Sequence, residues 1–228
     1  MSLEIHNEVV AVVGRNGAGK STLLNAITGL TPLTTGSIRI FGHDPFARSS
    51  RRDAMRRVGY LPQEFGFVPS FTVQEFVEYG AWLKGVKRDR VASMVTAALE
   101  EVSLLHERHT KMGKLSGGMR RRAGIAHSVV HGPDLLILDE PTAGLDPEQR
   151  IRFRELIRLL APGRAVVMSS HLVEDVQALA ARIVVLEAGQ IAFSGTVEEL
   201  ETFGELEGAG DSALEKGYIR VLGEAGQR

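Results

Sequence analysis

The sequence has no cysteine among its 228 residues, which excludes disulfide frameworks and thiolate metal sites. It also has no run of about 18 apolar residues, so no segment is predicted to span a bilayer. The first residues include Glu4 and Glu8 and no long apolar run, so we predict no secretory signal. We therefore expect a cytoplasmic chain, and any role at a membrane must come through a partner.

An excess of charge of one sign is also missing, since the formal net charge is −1. This balance predicts no global attraction to nucleic acid or anionic lipid, and no nucleic-acid partner is expected. Hydrophobic residues make up 43% and charged residues 24%, as in ordinary globular proteins. We interpret two local basic clusters as solvated helix faces, with a contact to nucleotide or partner as the alternative: Arg48, Arg51, Arg52, Arg56 and Arg57, and Arg120–Arg122.

Short runs of Val, Ile and Leu are typical of strands buried on both faces of a mostly parallel sheet. They predict strands at Val9–Val13, Ile38–Phe41, Val58–Leu61, Leu135–Leu138, Ala165–Met168 and Ile183–Leu186. Gln190–Ser194 follows Ala188-Gly189, which predicts a tight antiparallel hairpin.

Between Gln63 and Asp134 the pattern becomes helical. Thr72 and Glu75 form a capping box before a helix at Val73–Leu83, and an amphipathic helix and a third helix follow at about 91–102 and 118–130. Asp146 and Pro147 predict the start of a further helix. We expect an α/β core at 1–63 and 134–200, a helical insertion at 64–133, and a tail at 201–228 with one or two short helices and a loose end.

A glycine-rich segment directly follows the first strand and precedes an apolar helical pattern. It fits the pattern G-x-x-x-x-G-K-[ST], in which backbone N–H groups and a helix start converge on phosphate oxygens. Lys20 is expected to reach the β- and γ-phosphates, and Ser21 to offer its hydroxyl to Mg²⁺. The predicted phosphate-binding residues are Gly14, Arg15, Asn16, Gly17, Ala18, Gly19, Lys20, Ser21 and Thr22.

Two adjacent acids, Asp139 and Glu140, end the apolar run Leu135–Leu138. The carboxyl end of a strand in an open α/β sheet faces the crevice where ligands bind. Alternation along the strand places the two side chains on opposite sides, so they can have different roles. Asp139 suits Mg²⁺, directly or through water, and Glu140 suits the general base that activates the attacking water.

The run Leu115-Ser116-Gly117-Gly118-Met119-Arg120 narrows the choice among P-loop ATPases. With it, residues from about 9 to 200 resemble the ATP-binding subunit of ABC transporters. In the order of that family, Gly14–Thr22 is similar to Walker A, Gln63 to the Q-loop glutamine, and Leu115–Met119 to the signature motif. Leu135–Glu140 is similar to Walker B, Ala143–Asp146 to the D-loop, and His171 to the switch histidine.

The resemblance implies a P-loop NTPase fold that binds ATP and Mg²⁺ and hydrolyses ATP to power transport, with export as the expected direction. It implies that Gln63 touches Mg²⁺ or the attacking water, and that His171 contacts the γ-phosphate. Ser116, Gly117, Gly118 and Asp146 would face the ATP held by a second ATP-binding subunit, identical or different, in a two-fold symmetric dimer. A separate transmembrane permease would hold the chain at the inner face of the cell membrane.

Two features depart from the family pattern. The signature commonly ends in Gln, whereas Met119 stands here; the run Leu-Ser-Gly-Gly-Met-Arg is similar to an efflux branch of the family. Thirteen residues precede Gly14, fewer than is usual in the family. Ser2–Ile5 resembles the strand just before the phosphate loop, so we expect the N-terminal antiparallel strands to be truncated, or ATP to be bound weakly.

Two other functions are weighed against transport. A soluble ABC ATPase acting on DNA or ribosomes usually carries long coiled-coil inserts or two cassettes, and neither is seen in this sequence. A nucleotide-dependent regulatory module with little turnover would fit missing N-terminal strands. The presence of Lys20, Asp139, Glu140 and His171 argues against that module.

Overall fold

A six-stranded sheet organises the part of the chain that the computed structural model describes, residues 2–204 and 210–225. Its strands are β1 (Val9–Gly14), β2 (Val58–Leu61), β3 (Leu135–Leu138), β4 (Ala165–Ser169), β5 (Arg182–Glu187) and β6 (Gln190–Gly195). The order across the sheet is β2-β3-β4-β1-β5-β6, and within the described residues β6 alone runs antiparallel to its neighbour. The predicted mostly parallel α/β sheet with a C-terminal hairpin is therefore confirmed.

The five parallel strands β1–β5 are buried on both faces, because their alternate residues enter different hydrophobic clusters. In β1, Ala11 and Val13 belong to one cluster and Val10 and Val12 to the other. Helices cover each face, which explains the continuous apolar runs in the sequence.

Nine helices are present in the described residues. They are α1 (Lys20–Ile27), α2 (Arg51–Arg56), α3 (Val73–Leu83), α4 (Arg88–Glu101), α5 (Gly117–Val129), α6 (Pro147–Leu160), α7 (Val173–Leu179), α8 (Val197–Thr202) and α9 (Ala213–Ala225), and two short 3₁₀ turns lie at Leu105–Glu107 and Met112–Lys114. Helices α3, α4 and α5 lie between β2 and β3 along the chain; the division into a core and an inserted subdomain stays a prediction. Across residues 2–204 and 210–225, none of these helices has the length and apolarity needed to cross a membrane.

The helix starts follow the predicted capping residues. The Thr72 side chain accepts a hydrogen bond from the Glu75 N–H, and the Glu75 carboxylate accepts one from the Thr72 N–H, which completes the capping box of α3. Asp146 Oδ1 accepts a hydrogen bond from the Gln149 N–H at 2.8 Å, and Pro147 occupies the first position of α6.

Two strand predictions are wrong. Ile38–Phe41 forms no strand, because Phe41 and Gly42 have positive φ angles of 46° and 84° and turn the chain back, so that Ile40 bridges only to His43. Ser2–Ile5 also forms no strand. In the tail, α9 is the predicted helix, whereas α8 begins at Val197, before the tail, and ends at Thr202; the expected loose end at 226–228 lies outside the described residues.

Candidate functional site

The carboxyl ends of four neighbouring parallel strands meet at one edge of the sheet. The segments that follow them are the glycine-rich loop after β1, Pro62-Gln63 after β2, Asp139-Glu140 after β3 and Ser170-His171 after β4. Parallel pairing brings these segments to one side, where open α/β sheets bind ligands. The residues singled out by four separate sequence motifs therefore share one crevice.

The glycine-rich loop connects β1 to the start of α1. Gly17 and Gly19 have φ angles of 82° and 102°, which favour glycine, and a Cβ on Gly14 would lie 2.5 Å from the Leu186 carbonyl oxygen. The Lys20 ammonium donates to the carbonyl oxygens of Gly14 and Arg15 at 2.7 and 3.3 Å and is buried in the loop. A short turn and a cation at the start of a helix fit a phosphate group.

The exposed part of this loop is where a ligand can enter. Arg15, Asn16 and Gly17 are exposed, as are Ser21 and Thr22 in the first turn of α1, whereas Ala18 is buried. The Gly189 N–H donates to the Ala18 carbonyl oxygen at 2.9 Å, so the β5–β6 hairpin braces the loop from the side. The loop is thus fixed at its base and open at its tip.

The acid pair after β3 is held by a serine from β4. The Ser169 hydroxyl donates to Asp139 Oδ1 at 2.6 Å and accepts from the Glu140 N–H at 2.7 Å. Asp139 is buried, whereas Glu140 Oε2 lies 3.3 Å from Nδ1 of the half-exposed His171. The two carboxylates consequently occupy different environments, one polar and enclosed, the other beside an imidazole at the crevice.

Glu140 also has a positive φ of 44°, in the left-handed region that disfavours a residue with a side chain. Residues held in this region cluster at functional sites when their surroundings fix them. The bond from its N–H to Ser169 is one such constraint.

Gln63 lies at the same edge, but through its backbone rather than its amide. Its carbonyl oxygen accepts a hydrogen bond from Arg121 Nη1 at 2.5 Å, and the residue itself is exposed. The predicted contact of its side chain with Mg²⁺ or water stays a prediction.

The signature residues form the start of α5. Ser116 caps this helix, with its Oγ accepting from the Met119 N–H at 3.3 Å, and Ser116 and Gly117 are exposed. Gly118 faces the side chain of Gln149 in the first turn of α6, so the signature turn and the segment after Asp146 are neighbours. Met119 packs partly buried against the core, which explains an apolar residue there.

Sequence reasoning missed several buried polar residues that support these motifs. Asp175 in α7 is fully buried, accepts a hydrogen bond from the Thr142 hydroxyl, and accepts another from Arg154 Nε at 2.6 Å. This network ties the helix after His171 to the segment after Glu140 and to α6. The only hint in the sequence is that Asp175 is an acid in the first turn of a helix. Its distance along the chain from Thr142 and Arg154 gives no indication that they are its partners.

A second surface lies on α3. Tyr79, Trp82 and Leu83 are 47%, 69% and 53% exposed, and the Tyr79 and Trp82 rings stack with centroids 5.8 Å apart. Tyr79 and Leu83 also line a cavity of about 250 Å³ that extends to Pro62, next to Gln63. We call Tyr79, Trp82 and Leu83 the α3 aromatic patch; exposed apolar patches of this kind mark interaction sites.

Comparison with known proteins gives consistent matches. A family model described as ABC transporter matches residues 1–143. An uncharacterized ABC transporter ATP-binding protein of Bacillus subtilis (strain 168), YxlF, is 35% identical over 86% of this chain and 64% of its own length. Nod factor export ATP-binding protein I of Burkholderia thailandensis is 38% identical over 85% of this chain and 63% of its own length.

A solved structure agrees with these matches. The ATP-binding subunit of an ABC transporter superposes with a TM-score of 0.80 and 27% identity, covering 95% of this chain and 89% of that one. The chain spans less than two thirds of the length of the two relatives above.

Proposed function

This chain belongs to the ABC transporter family, and we propose that it is the subunit that binds and hydrolyses ATP to power a membrane transporter. Its similarity to a Nod factor export protein favours an exporter. One observation carries the proposal: the glycine-rich loop, the acid pair and His171 share one crevice of the sheet. The same chain also carries the exposed serine-glycine helix start.

In the proposed site, the loop from Gly14 to Thr22 binds the triphosphate of ATP. Its glycines allow backbone N–H groups to approach phosphate oxygens, and Lys20 adds a positive charge that the structure already holds inside the loop. Ser21, Asp139 and the Gln63 amide are the proposed ligands of Mg²⁺, and waters and phosphate oxygens would supply the rest of its coordination. When bound, Mg²⁺ neutralises charge that develops on the phosphates.

Glu140 is proposed as the general base. Glu140 directly follows the buried Asp139, and its carboxylate lies at the crevice. In the proposed reaction it takes a proton from the water that attacks the γ-phosphorus. We propose that His171, whose Nδ1 lies 3.3 Å from that carboxylate, orients the base or donates to a γ-phosphate oxygen.

A second ATP-binding subunit would complete the site. Ser116, Gly117 and Asp146 are exposed and Gly118 lies among them, so this surface is available to the ATP of a partner. In a two-fold symmetric dimer each subunit contributes one loop and one signature turn to each nucleotide. ATP then stabilises the dimer, and hydrolysis removes that contribution.

The transmembrane subunit is proposed to dock on the α3 aromatic patch. The patch combines exposed aromatic rings with a cavity that reaches Pro62, so a docked partner would lie close to Gln63. This proposal places the chain in the cytoplasm, peripheral on the inner face of the membrane.

Replacing Glu140 by Gln tests the proposed function. We expect the wild-type chain to hydrolyse ATP. In Glu140→Gln, kcat should fall about 10²–10⁴-fold, because the amide cannot accept the proton. Dimers formed with ATP should persist in this variant when measured by gel filtration, since ground-state binding is retained. Glu155→Gln, an exposed acid on α6, is the matched control and should retain wild-type turnover. Turnover at the wild-type rate by Glu140→Gln would remove Glu140 from the base role.

A further inference from the structure

Arg121 is a buried cation that joins α5 to two other segments of the site, Pro62-Gln63 and Asp139–Pro141. It lies on α5, five residues after Ser116, and is 8% exposed. Its Nε donates to the Pro141 carbonyl oxygen at 2.9 Å, its Nη1 to that of Gln63 at 2.5 Å, and its Nη2 to that of Glu140 at 2.6 Å. Longer contacts reach the carbonyl oxygens of Pro62 and Asp139, both at 3.4 Å.

Burying this guanidinium is costly. Burial lowers the pKa of Arg121, and the charges of Asp139 and Glu140 only partly oppose that shift. A buried charge is tolerated when its donors are hydrogen-bonded, and here backbone carbonyl oxygens accept those bonds. The planar fork of a guanidinium can donate to two segments at once in fixed directions, which the point charge of a lysine cannot do.

The hydrogen bond from Arg121 to the Glu140 carbonyl oxygen restrains a residue with a strained backbone. Glu140 has a φ of 44°, its N–H is bonded to Ser169 Oγ, and its carbonyl oxygen is bonded to Arg121. The peptide groups on both sides of Glu140 are thereby fixed. Such backbone strain persists only when the surroundings of the residue determine its conformation.

We propose that Arg121 is a positioning residue, which holds the backbones of Glu140 and Gln63 in place and connects both to the helix that begins at Ser116. The proposal rests on the proposed function, because it gives Glu140 and Gln63 catalytic roles. Any displacement of α5 when a second subunit contacts Ser116 would then be transmitted directly to the base and to the Gln63 segment.

The test compares Arg121→Lys and Arg121→Gln with the same substitutions at Arg122. Arg122 lies on the same helix and also donates to carbonyl oxygens, but to those of Val102 and Ser103 at the end of α4 rather than to those of the Glu140 and Gln63 segments. We expect the Arg121 variants to lose about 10–100-fold in kcat, since small displacements of catalytic groups have effects of this order. Their KM for ATP and their ATP affinity by calorimetry should stay within about threefold of wild type, and the Arg122 variants should match wild type.

A second measurement separates positioning from general damage. Arg121→Lys is added to Glu140→Gln, and residual hydrolysis is followed in single turnovers. If Arg121 acts through Glu140, the added loss is much smaller than in the wild-type background, and ATP-driven dimers persist. A full second loss, a change in KM alone, or an equal loss from the Arg122 variants would overturn the proposal.

The remaining outcomes are also decisive. Thermal unfolding identifies variants that do not fold. If Arg121→Gln does not fold, the kinetics of Arg121→Lys test the proposal. If neither variant folds, Arg121 has a purely structural role and the proposal is wrong. Wild-type chain that turns over no ATP, alone or with partner membranes, would refute the proposed function. Normal turnover by wild type and by Arg121→Lys would refute the role of Arg121 alone.

Discussion

At the scale of single residues, two buried cations of the site, Lys20 and Arg121, donate hydrogen bonds to backbone carbonyl oxygens. Lys20 is bonded to two carbonyl oxygens of its own loop, and Arg121 to carbonyl oxygens of two segments, Pro62-Gln63 and Asp139–Pro141. Asp139 accepts from Ser169 rather than from a cation. Because these partners are mostly fixed backbone atoms, the charged groups are oriented before any ligand arrives, which lowers the cost of organising the site.

Replacing Lys20 by Ala tests this arrangement at the phosphate loop. The variant should bind ATP about 10–150-fold more weakly, because a hydrogen bond to a charged group contributes about 1.5–3 kcal/mol. Titration calorimetry with MgATP measures the change. Lys111→Ala, which removes an exposed lysine elsewhere, should bind like wild type; unchanged affinity in Lys20→Ala would exclude its contact with phosphate.

The residue types of the site could be predicted where spacing along the chain encodes them. Gly14–Thr22 and Asp139-Glu140 are contiguous, and a following helix or a preceding strand gives them context. Ser169 and Arg121 could not be assigned roles, because their partners lie 18 to 59 residues away in the chain. Gln63 was identified by position, but its carbonyl, not its amide, makes the contact that the structure shows.

At the scale of elements, local signals predicted helices more reliably than isolated strands. The capping box at Thr72 and Glu75 placed α3 correctly, since both bonds form within one turn. Ile38–Phe41 has the composition of a strand, but a strand also needs a partner, and the turn at Phe41-Gly42 prevents further pairing. Burial of Ile40 accounts for the apolar run without a strand.

The packing of α3 on α5 encloses titratable groups. His127 of α5 stacks on Phe76 of α3 with ring centroids 4.7 Å apart, and burial with the charge of Lys84 lowers its pKa to about 4. Burial and Lys84 lower the pKa of His131 to about 3, although its Nε2 bonds to the Val58 carbonyl oxygen. Lys84 itself donates to the carbonyl oxygens of Met55 and Val58.

These buried histidines predict that acid destabilises the fold. Below pH of about 6.5 the unfolded chain binds protons that the folded chain does not, so the free energy of unfolding falls as the pH decreases toward 4. His131→Gln keeps a donor for the Val58 carbonyl oxygen but has no titrating group. The slope of the free energy of unfolding against pH should therefore decrease by about 1.4 kcal/mol per pH unit in this variant. Urea unfolding between pH 4 and 7 measures it, with exposed His106→Gln as control. An unchanged slope would show that His131 is not buried in its neutral form.

At the scale of the whole molecule, the crevice and the α3 aromatic patch lie on either side of one segment. Pro62 and Phe65 line the cavity beside the patch, whereas the Gln63 carbonyl is bonded to Arg121 and through it to Glu140. A partner seated on the patch would thus touch the same segment that borders the acid pair. If the transmembrane subunit docks on the patch as proposed, this continuity would connect its contact surface to the proposed base.

Replacing Trp82 by Glu tests the docking surface. Trp82 is 69% exposed, so the free energy of unfolding should change by no more than about 0.5 kcal/mol, as is usual for surface substitutions. A charge at the centre of an apolar interface should instead prevent co-purification with the transmembrane subunit from detergent-solubilised membranes. Leu159→Glu on α6 is the matched control, since Leu159 is 75% exposed and lies outside the patch. If Trp82→Glu still co-purified like wild type while Leu159→Glu did not, the partner would bind the α6 side, and the route through Gln63 would have to be abandoned.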